Sequence, residues 1–211
     1  MSTQLIARLI DAAAESIEAN VELLTQLDQA IGDGDHGLNM KRGFAAIRSA
    51  RDDLSALHLP EALNKAGMLL VTKVGGASGP LYGSLLLAMG KAGTGLESNP
   101  AAVVSMLSEG VSAVKKRGKS EVGEKTMLEV LVPVLGALRQ GVEGGEATAA
   151  LLERIKRTAR EGLEASKPLR ATKGRASFLG ERSIGHLDPG AQSSCLLIHA
   201  VCDVIIREAA A

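Results

Sequence analysis

The sequence predicts an all-α protein, an antiparallel up-and-down bundle or barrel of eight helices with mostly short connections. Three observations carry this. Apolar residues recur at helical spacing through most of the 211 residues. No stretch shows a persuasive alternation with the period of two that a half-buried strand requires. Prolines and capping residues fall at intervals suited to helix starts. Composition agrees: hydrophobic residues make up 45%, yet only Phe44, Tyr82 and Phe178 are aromatic. The expected core is therefore Leu, Val, Ile, Ala and Met, which suits close helix packing. The length fits one domain over residues 1–211.

The elements follow in order. Leu5, Ile6, Leu9, Ile10, Ala13, Ile17, Val21, Leu24 and Leu27 keep helical spacing, so a first helix delivers Asp28 at its C-terminal end. Asn39 is placed to cap a second helix from Met40 to Ala50. Pro60 starts a third, Pro80 a fourth, and Asn99-Pro100 caps and starts a fifth. Thr126 to Arg139 reads as a sixth with a kink at Pro133. Glu146 to Ser166 gives the seventh and Pro189 to Glu208 the eighth. In an antiparallel arrangement, the loops before the second, fourth, sixth and eighth helices gather at one rim.

Charge excludes some classes of function. Lys plus Arg equals Asp plus Glu at 24 each, so no broad cationic field draws the chain to nucleic acid. Met1-Ser-Thr-Gln runs into an amphipathic helix without a basic-then-apolar leader. The longest apolar run, Cys195 to Ile206, is interrupted by His199 and Asp203, so no membrane span is expected. Cys195 and Cys202 lie seven apart on one predicted helix face. Helical rise separates them by roughly 10 Å, too far for a disulfide, and buried reduced thiols in a cytoplasmic protein are the expectation.

The chemistry concentrates in three loops. The first runs from Asp28 through Gly32-Asp33-Gly34-Asp35-His36-Gly37 and packs three carboxylates into eight residues with nothing basic between them. Taken alone, Asp-Gly-Asp is more often a solvated turn. An EF-hand is excluded, because the twelfth position from Asp33 is Phe44 and not a bidentate Glu. Clustered like charges with only hard oxygen ligands favour a bound divalent ion, and Mg²⁺ over Zn²⁺ or copper.

The second loop, Gly75-Gly76-Ala77-Ser78-Gly79-Pro80-Leu81-Tyr82-Gly83, opens directly into an apolar helix. Glycines before a helix N-terminus form an anion nest, to which Ser78 adds a hydroxyl; they also serve tight packing. The third is the segment Lys173 to Gly190, without helical periodicity and too long for a simple connection. Its Arg175 and Arg182 offer forked donors to phosphate oxygens, or pair at the surface with Glu181 or Asp188. Gly118-Lys119-Ser120 is not a Walker site, since Ala113 stands where the first glycine belongs and no strand precedes it.

Gly32-Asp-Gly-Asp-His-Gly-Leu-Asn-Met40, Gly75 to Gly83, Gly123-Glu-Lys-Thr-Met127 and Lys173 to Ala191 occur in that order. Together they make the whole chain resemble the nucleotide-binding L subunit of bacterial dihydroxyacetone kinase. Glu124 departs from the family's Asp, and Phe178 from its usual Tyr. The resemblance implies an eight-helix barrel with the nucleotide–metal site in the loops at one rim. It implies that Asp28, Asp33 and Asp35 ligate two Mg²⁺ ions. His36, Gly37, Leu38, Asn39, Ala77, Ser78, Gly118, Met127, Arg175, Asp188, Pro189 and Gly190 would line ADP or ATP, with a contact or structural role for His36 rather than a phosphohistidine.

The implied activity is phosphoryl transfer, which needs positioning and charge neutralisation more than covalent help. A phosphohistidine carrier, the M subunit, would recharge resident ADP. The phosphoryl group would then pass to dihydroxyacetone on a separate K subunit. The free-standing length and the Asp-His-Gly-Leu-Asn-Met wording favour this form over an ATP-dependent kinase for dihydroxyacetone or a related ketose. A nucleotide-loaded module that binds a transcription regulator is the other reading; the aspartate cluster argues against it, because partner binding alone requires no metals.

Overall fold

The computed structural model describes residues 2–97 and 99–209; Met1, the first residue of the stretch read as leading into the first helix, lies outside them. Ten α-helices and one 3₁₀ helix are present among the described residues. They are α1 (Thr3–Ala19), α2 (Val21–Ile31), α3 (His36–Ser49), α4 (Arg51–Ser55), α5 (Leu59–Lys73), α6 (Ser78–Gly93), α7 (Pro100–Gly118), α8 (Leu128–Glu143), α9 (Thr148–Ala165), η1 (Arg175–Ser183) and α10 (Pro189–Ala209).

The eight expected helices become ten because the first is broken at Asn20 and a short helix, α4, follows the second. Asn20 interrupts the first at φ −116°, ψ 16°, with its side-chain amide donating to the Ser16 carbonyl at 2.8 Å. That local bond competes with the helix ladder, a habit of Asn. Ala50 separates α3 from the short α4. Helix α3 also starts four residues before the expected Met40, at His36, so Asn39 is not a cap but a buried residue of its first turn. The other starts obey local signals: Asn99 accepts from the Ala102 N–H at 2.8 Å, and Pro100 follows it at the helix start.

The long helices close into a ring. α1 packs on α3, α3 on α5, α5 on α6, and so on through α7, α8 and α9 to α10, which returns to α1. Neighbours run antiparallel, as residue pairs show: Lys41 meets Glu18 while Arg48 meets Glu15. At the seam, Arg8 pairs with Glu208 while Ser16 donates to the Leu196 carbonyl. The interior is aliphatic as expected, with Ile17, Leu24, Leu70, Val114, Leu128 and Val130 almost fully buried. Phe44 and Tyr82 join it, whereas Phe178 is 88% exposed. Cys195 and Cys202 are buried and free, and burial pushes their thiols up to about 11 and about 12.

Two staves meet at a point that the sequence does not announce. Pro133 lies inside α8 and has no N–H to offer the carbonyl of Glu129 four residues earlier. That carbonyl faces Gly162 of α9, where an added Cβ would stand 2.3 Å from the oxygen. The helices therefore touch through backbone at this level. Helix α10 corrects one expectation: its 21 residues, with mean hydropathy 1.4 over the most apolar window, are long and apolar enough to cross a membrane by those measures. Here it is a stave of the barrel, packed on α1, α2, α8 and α9.

Two glycine substitutions separate close packing from helix propensity. Gly162→Ala should lower stability by about 1–3 kcal/mol, because backbone rather than a flexible side chain blocks the new methyl. Gly136→Ala in α8, where nothing lies within 4 Å of the new Cβ, should raise it by about 0.5–1 kcal/mol. Urea unfolding of both variants checks the opposed signs; two shifts of the same sign would contradict the packing described.

Candidate metal and phosphate site

Alternating helix direction brings four connections to one rim: 32–35, 74–77, 119–127 and 166–188. Between them lies a cleft of about 520 Å³. Asp28, Asp33, Asp35, His36, Ala77, Ser78, Gly118, Met127, Arg175, Asp188, Pro189 and Gly190 all line it, from segments far apart in the chain. Gly37, Leu38 and Asn39 do not. Gly37 packs so closely on α2 that a Cβ would stand 2.2 Å from the Val21 carbonyl oxygen. Leu38 is exposed, and Asn39 is buried beneath the second loop, its Oδ1 2.9 Å from where a Cβ on Gly75 would sit.

Asp28 organises the first loop. It stands in the last turn of α2, and its Oδ2 accepts the Asp35 N–H at 2.8 Å and the His36 N–H at 3.0 Å. The carboxylate thus serves the N-terminus of α3, a favourable place for negative charge. The chain can turn there because position 32 is glycine: a Cβ would come within 2.1 Å of Asp28 Oδ1. As a result Asp28, Asp33 and Asp35 each present an oxygen within 4.8 Å of the others. Asp28 is half-buried and its two partners are exposed. Three carboxylates that close, with no nitrogen or sulfur donor, form a set able to hold a hard divalent cation. Arg175 Nε lies 2.8 Å from Asp33 Oδ2, an exposed pair worth at most about 1 kcal/mol.

The second loop supplies donors. Gly76 takes φ +63°, and α6 begins at Ser78 with no side chain capping its first turn. Backbone N–H groups at such a terminus point outward and favour an anion. Met127, 3% exposed, forms an apolar part of the lining beside Gly190. Asp188 caps α10 by accepting from Ala191 N at 2.7 Å. Burial pushes its carboxyl up to about 7, against the pull of the Ala191 N–H and the Lys125 ammonium.

Beneath the cleft runs a polar chain. The His36 ring shares hydrogen bonds with Ser78 Oγ at 2.9 Å and Ser193 Oγ at 3.0 Å. Ser193 Oγ lies 2.8 Å from the Tyr82 hydroxyl, which also meets Ser194 Oγ at 2.7 Å and the Gly190 carbonyl at 3.2 Å. Burial lowers the His36 pKa, while Asp28 and Asp35 oppose that shift. Placed between two hydroxyls, this histidine ties α3 to α6 and α10.

Sequence reasoning assigned no role to Tyr82, Ser193, Lys125 or Glu129. Tyr82 and Lys125 stood inside quoted motifs; Ser193 and Glu129 offered only the signal of polar residues on apolar helix faces. Glu124 has a definite place: it accepts from Glu121 N at 2.7 Å and Thr172 Oγ1 at 2.8 Å, with Lys173 Nζ at 3.3 Å. These contacts hold its carboxylate below the usual range.

The chain is thus a closed helical barrel with an acidic cluster and an uncapped helix terminus in one rim cleft. The DAK2 domain matches residues 30–203, and the chain belongs to that family. It is 45% identical over 194 residues to the ADP-binding subunit DhaL of PEP-dependent dihydroxyacetone kinase 1 from Listeria innocua, covering 92% of each chain. It is 44% identical over 191 residues to the ADP-binding subunit DhaL of the PTS-dependent dihydroxyacetone kinase of Lactococcus lactis, covering 90% of this chain and 92% of that one. The fold matches the crystal structure of the C. freundii dihydroxyacetone kinase in complex with AMP-PNP and Mg²⁺. The TM-score is 0.75 and the identity 24%, over 96% of this chain and 34% of that longer one.

Two measurements test the wall of the cleft. Asp188 has a folded pKa raised far above the usual ~3.9, so its protonated form favours the fold and stability is lost as pH rises from about 4 to about 7. Asp188→Asn keeps an accepting oxygen for the cap and should gain on the wild type as pH rises through that window. A pH-independent gap between their urea midpoints would refute the shift. Tyr82→Phe strands the partners of a buried hydroxyl and should cost about 1–3 kcal/mol in the same assay.

Proposed function

We propose that this chain is the nucleotide-binding subunit of a dihydroxyacetone kinase, a phosphotransferase. It would carry a phosphoryl group from a phosphohistidine carrier, by way of tightly held ADP/ATP and Mg²⁺, to dihydroxyacetone on a separate subunit. The observation that carries this reading is the juxtaposition in one cleft of three carboxylate oxygens within 4.8 Å and the uncapped start of α6. Identities of 45% and 44% to DhaL subunits support it.

Asp28, Asp33 and Asp35 would hold the metal, and the residues present fit it: hard oxygens, closely spaced and open to the cleft. Two bound Mg²⁺ ions would supply neutralisation of charge on the phosphate oxygens. The chain's own part is binding and orientation. Ser78 and the first N–H groups of α6 would bind the phosphates, with Arg175, now paired with Asp33, as a forked cation at the same cleft. Met127 and Gly118 would flank the base, and Asp188 to Gly190 would close the opposite wall. Gly37 and Leu38 stand outside the cleft, one packed on α2 and the other exposed, while Asn39 braces the Gly75 turn. His36 holds Ser78 in place and takes no phosphoryl group.

The whole chain acts as one nucleotide-binding domain over 1–211, in a cytoplasmic setting that suits its two buried thiols. The cleft opens at the rim, which lets a K subunit present the ketose and an M subunit approach the same nucleotide. A transcription regulator reading the nucleotide state would meet that rim too.

Asp33→Asn tests the assignment. Turnover reconstituted with the K and M subunits should fall at least about 100-fold, the scale expected for losing a metal ligand at a phosphoryl centre. The urea midpoint should hold or rise, since one of three mutually repelling charges is gone. Unchanged turnover would sink the metal assignment.

A further inference from the structure

The Gly123-Glu-Lys-Thr-Met127 segment contains a charged side chain that the proposed chemistry does not use. Lys125 is 2% exposed and adopts a left-handed backbone at φ 60°. Its backbone N–H donates to Glu129 Oε1 at 3.1 Å, and Glu129 also accepts from Gly123 N at 3.0 Å. The ammonium then crosses to another part of the chain. It donates to the carbonyls of Ser166 at 2.7 Å and Lys167 at 3.2 Å, at the end of α9, and to the carbonyl of His186.

An ammonium has three hydrogens, and all three are spent on backbone carbonyls. Although Lys125 lines the cleft, it has no hydrogen left for a phosphate oxygen. Its position differs from that of a point charge on a nucleotide: its main chain belongs to one wall, next to Met127, and its head to the opposite wall, just before Asp188. Two further bonds run the same way. Gly185 N donates to the Lys167 carbonyl at 2.8 Å, and Asp188 N to Ser166 Oγ at 3.2 Å. The 185–188 segment is thus laced to the end of α9, with the only charge-assisted bonds among these coming from Lys125.

We propose that Lys125 is a positioning residue that clasps the His186–Gly190 wall to the C-terminal end of α9, and thereby sets how long the cleft retains its nucleotide. The second half rests on the nucleotide-binding function proposed above; the clasp itself does not. A wall that swings aside for release has to break three ammonium bonds at a side chain only 2% exposed, leaving three carbonyls without that partner. Retention acts on the release rate, while the groups that would face the phosphates stay as they are.

The clasp is tested on the wild type first. In the ¹⁵N-labelled protein, one lysine ammonium should exchange slowly enough with water to give a resolved NMR signal near neutral pH, and that signal should be missing from Lys125→Met. Gly185 and Asp188 amide exchange should accelerate in Lys125→Met relative to wild type. With Mg²⁺ present, the variant should release a fluorescent ADP analogue at least about tenfold faster than wild type. The variant's affinity for the same analogue, measured by equilibrium titration, should weaken in step with that faster release.

A Lys125 ammonium exchanging like a surface lysine overturns the proposal, and this holds even if Lys125→Met fails to fold. A folded variant with wild-type amide exchange or wild-type ADP release overturns it as well. Wild-type protein that binds no ADP but shows the protected ammonium would remove the functional reading and the retention role together, while supporting the clasp.

Discussion

Three carboxylates held within 4.8 Å of one another repel, and the rim is built around that constraint. Local structure makes the cluster tolerable. Asp28 spends one oxygen on the N–H groups of Asp35 and His36, so part of its charge is met by the start of α3. Gly32 leaves room for the other oxygen. Asp33 and Asp35 remain exposed, where water screens them, and Arg175 reaches Asp33 from η1. What remains unneutralised points into the cleft, which is where a divalent cation gains most.

The barrel makes this possible by direction alone. Each stave reverses the chain, so every second connection lands at the same rim, and the acidic loop, the glycine nest and the Asp188 turn converge with no strand or disulfide among the described residues. Holding them in register falls to polar groups inside an otherwise aliphatic interior. His36, Ser193 and Tyr82 link α3, α6 and α10 below the cleft. Lys125 and Glu129 do the same for its far wall. Buried polar networks of this kind specify geometry more than they add stability.

Much of this was legible in the sequence, for identifiable reasons. Pro60, Asn99-Pro100 and Pro189 fix helix starts by local chemistry, so those elements appear where expected. The break at Asn20 was not legible, because Ile17, Val21 and Leu24 keep their helical spacing straight through it. Asn39 carried a capping signal that tertiary structure overrode: the Asp28 carboxylate starts α3 earlier and leaves Asn39 under Gly75. The acidic and glycine loops reveal their chemistry because it depends on side chains adjacent in sequence. Lys125 does not, since its partners are carbonyls of Ser166, Lys167 and His186, some 40 to 60 residues away. A charge whose partners are distant backbone reads in sequence as a surface lysine.

The central claim is that the rim cleft holds a metal-bound nucleotide as a resident group. It is tested most directly by purifying the protein in Mg²⁺, desalting it exhaustively, denaturing it and identifying what is released by chromatography. ADP should be released in near-stoichiometric amount. An empty protein that binds neither ADP nor ATP when Mg²⁺ and nucleotide are added back would contradict it.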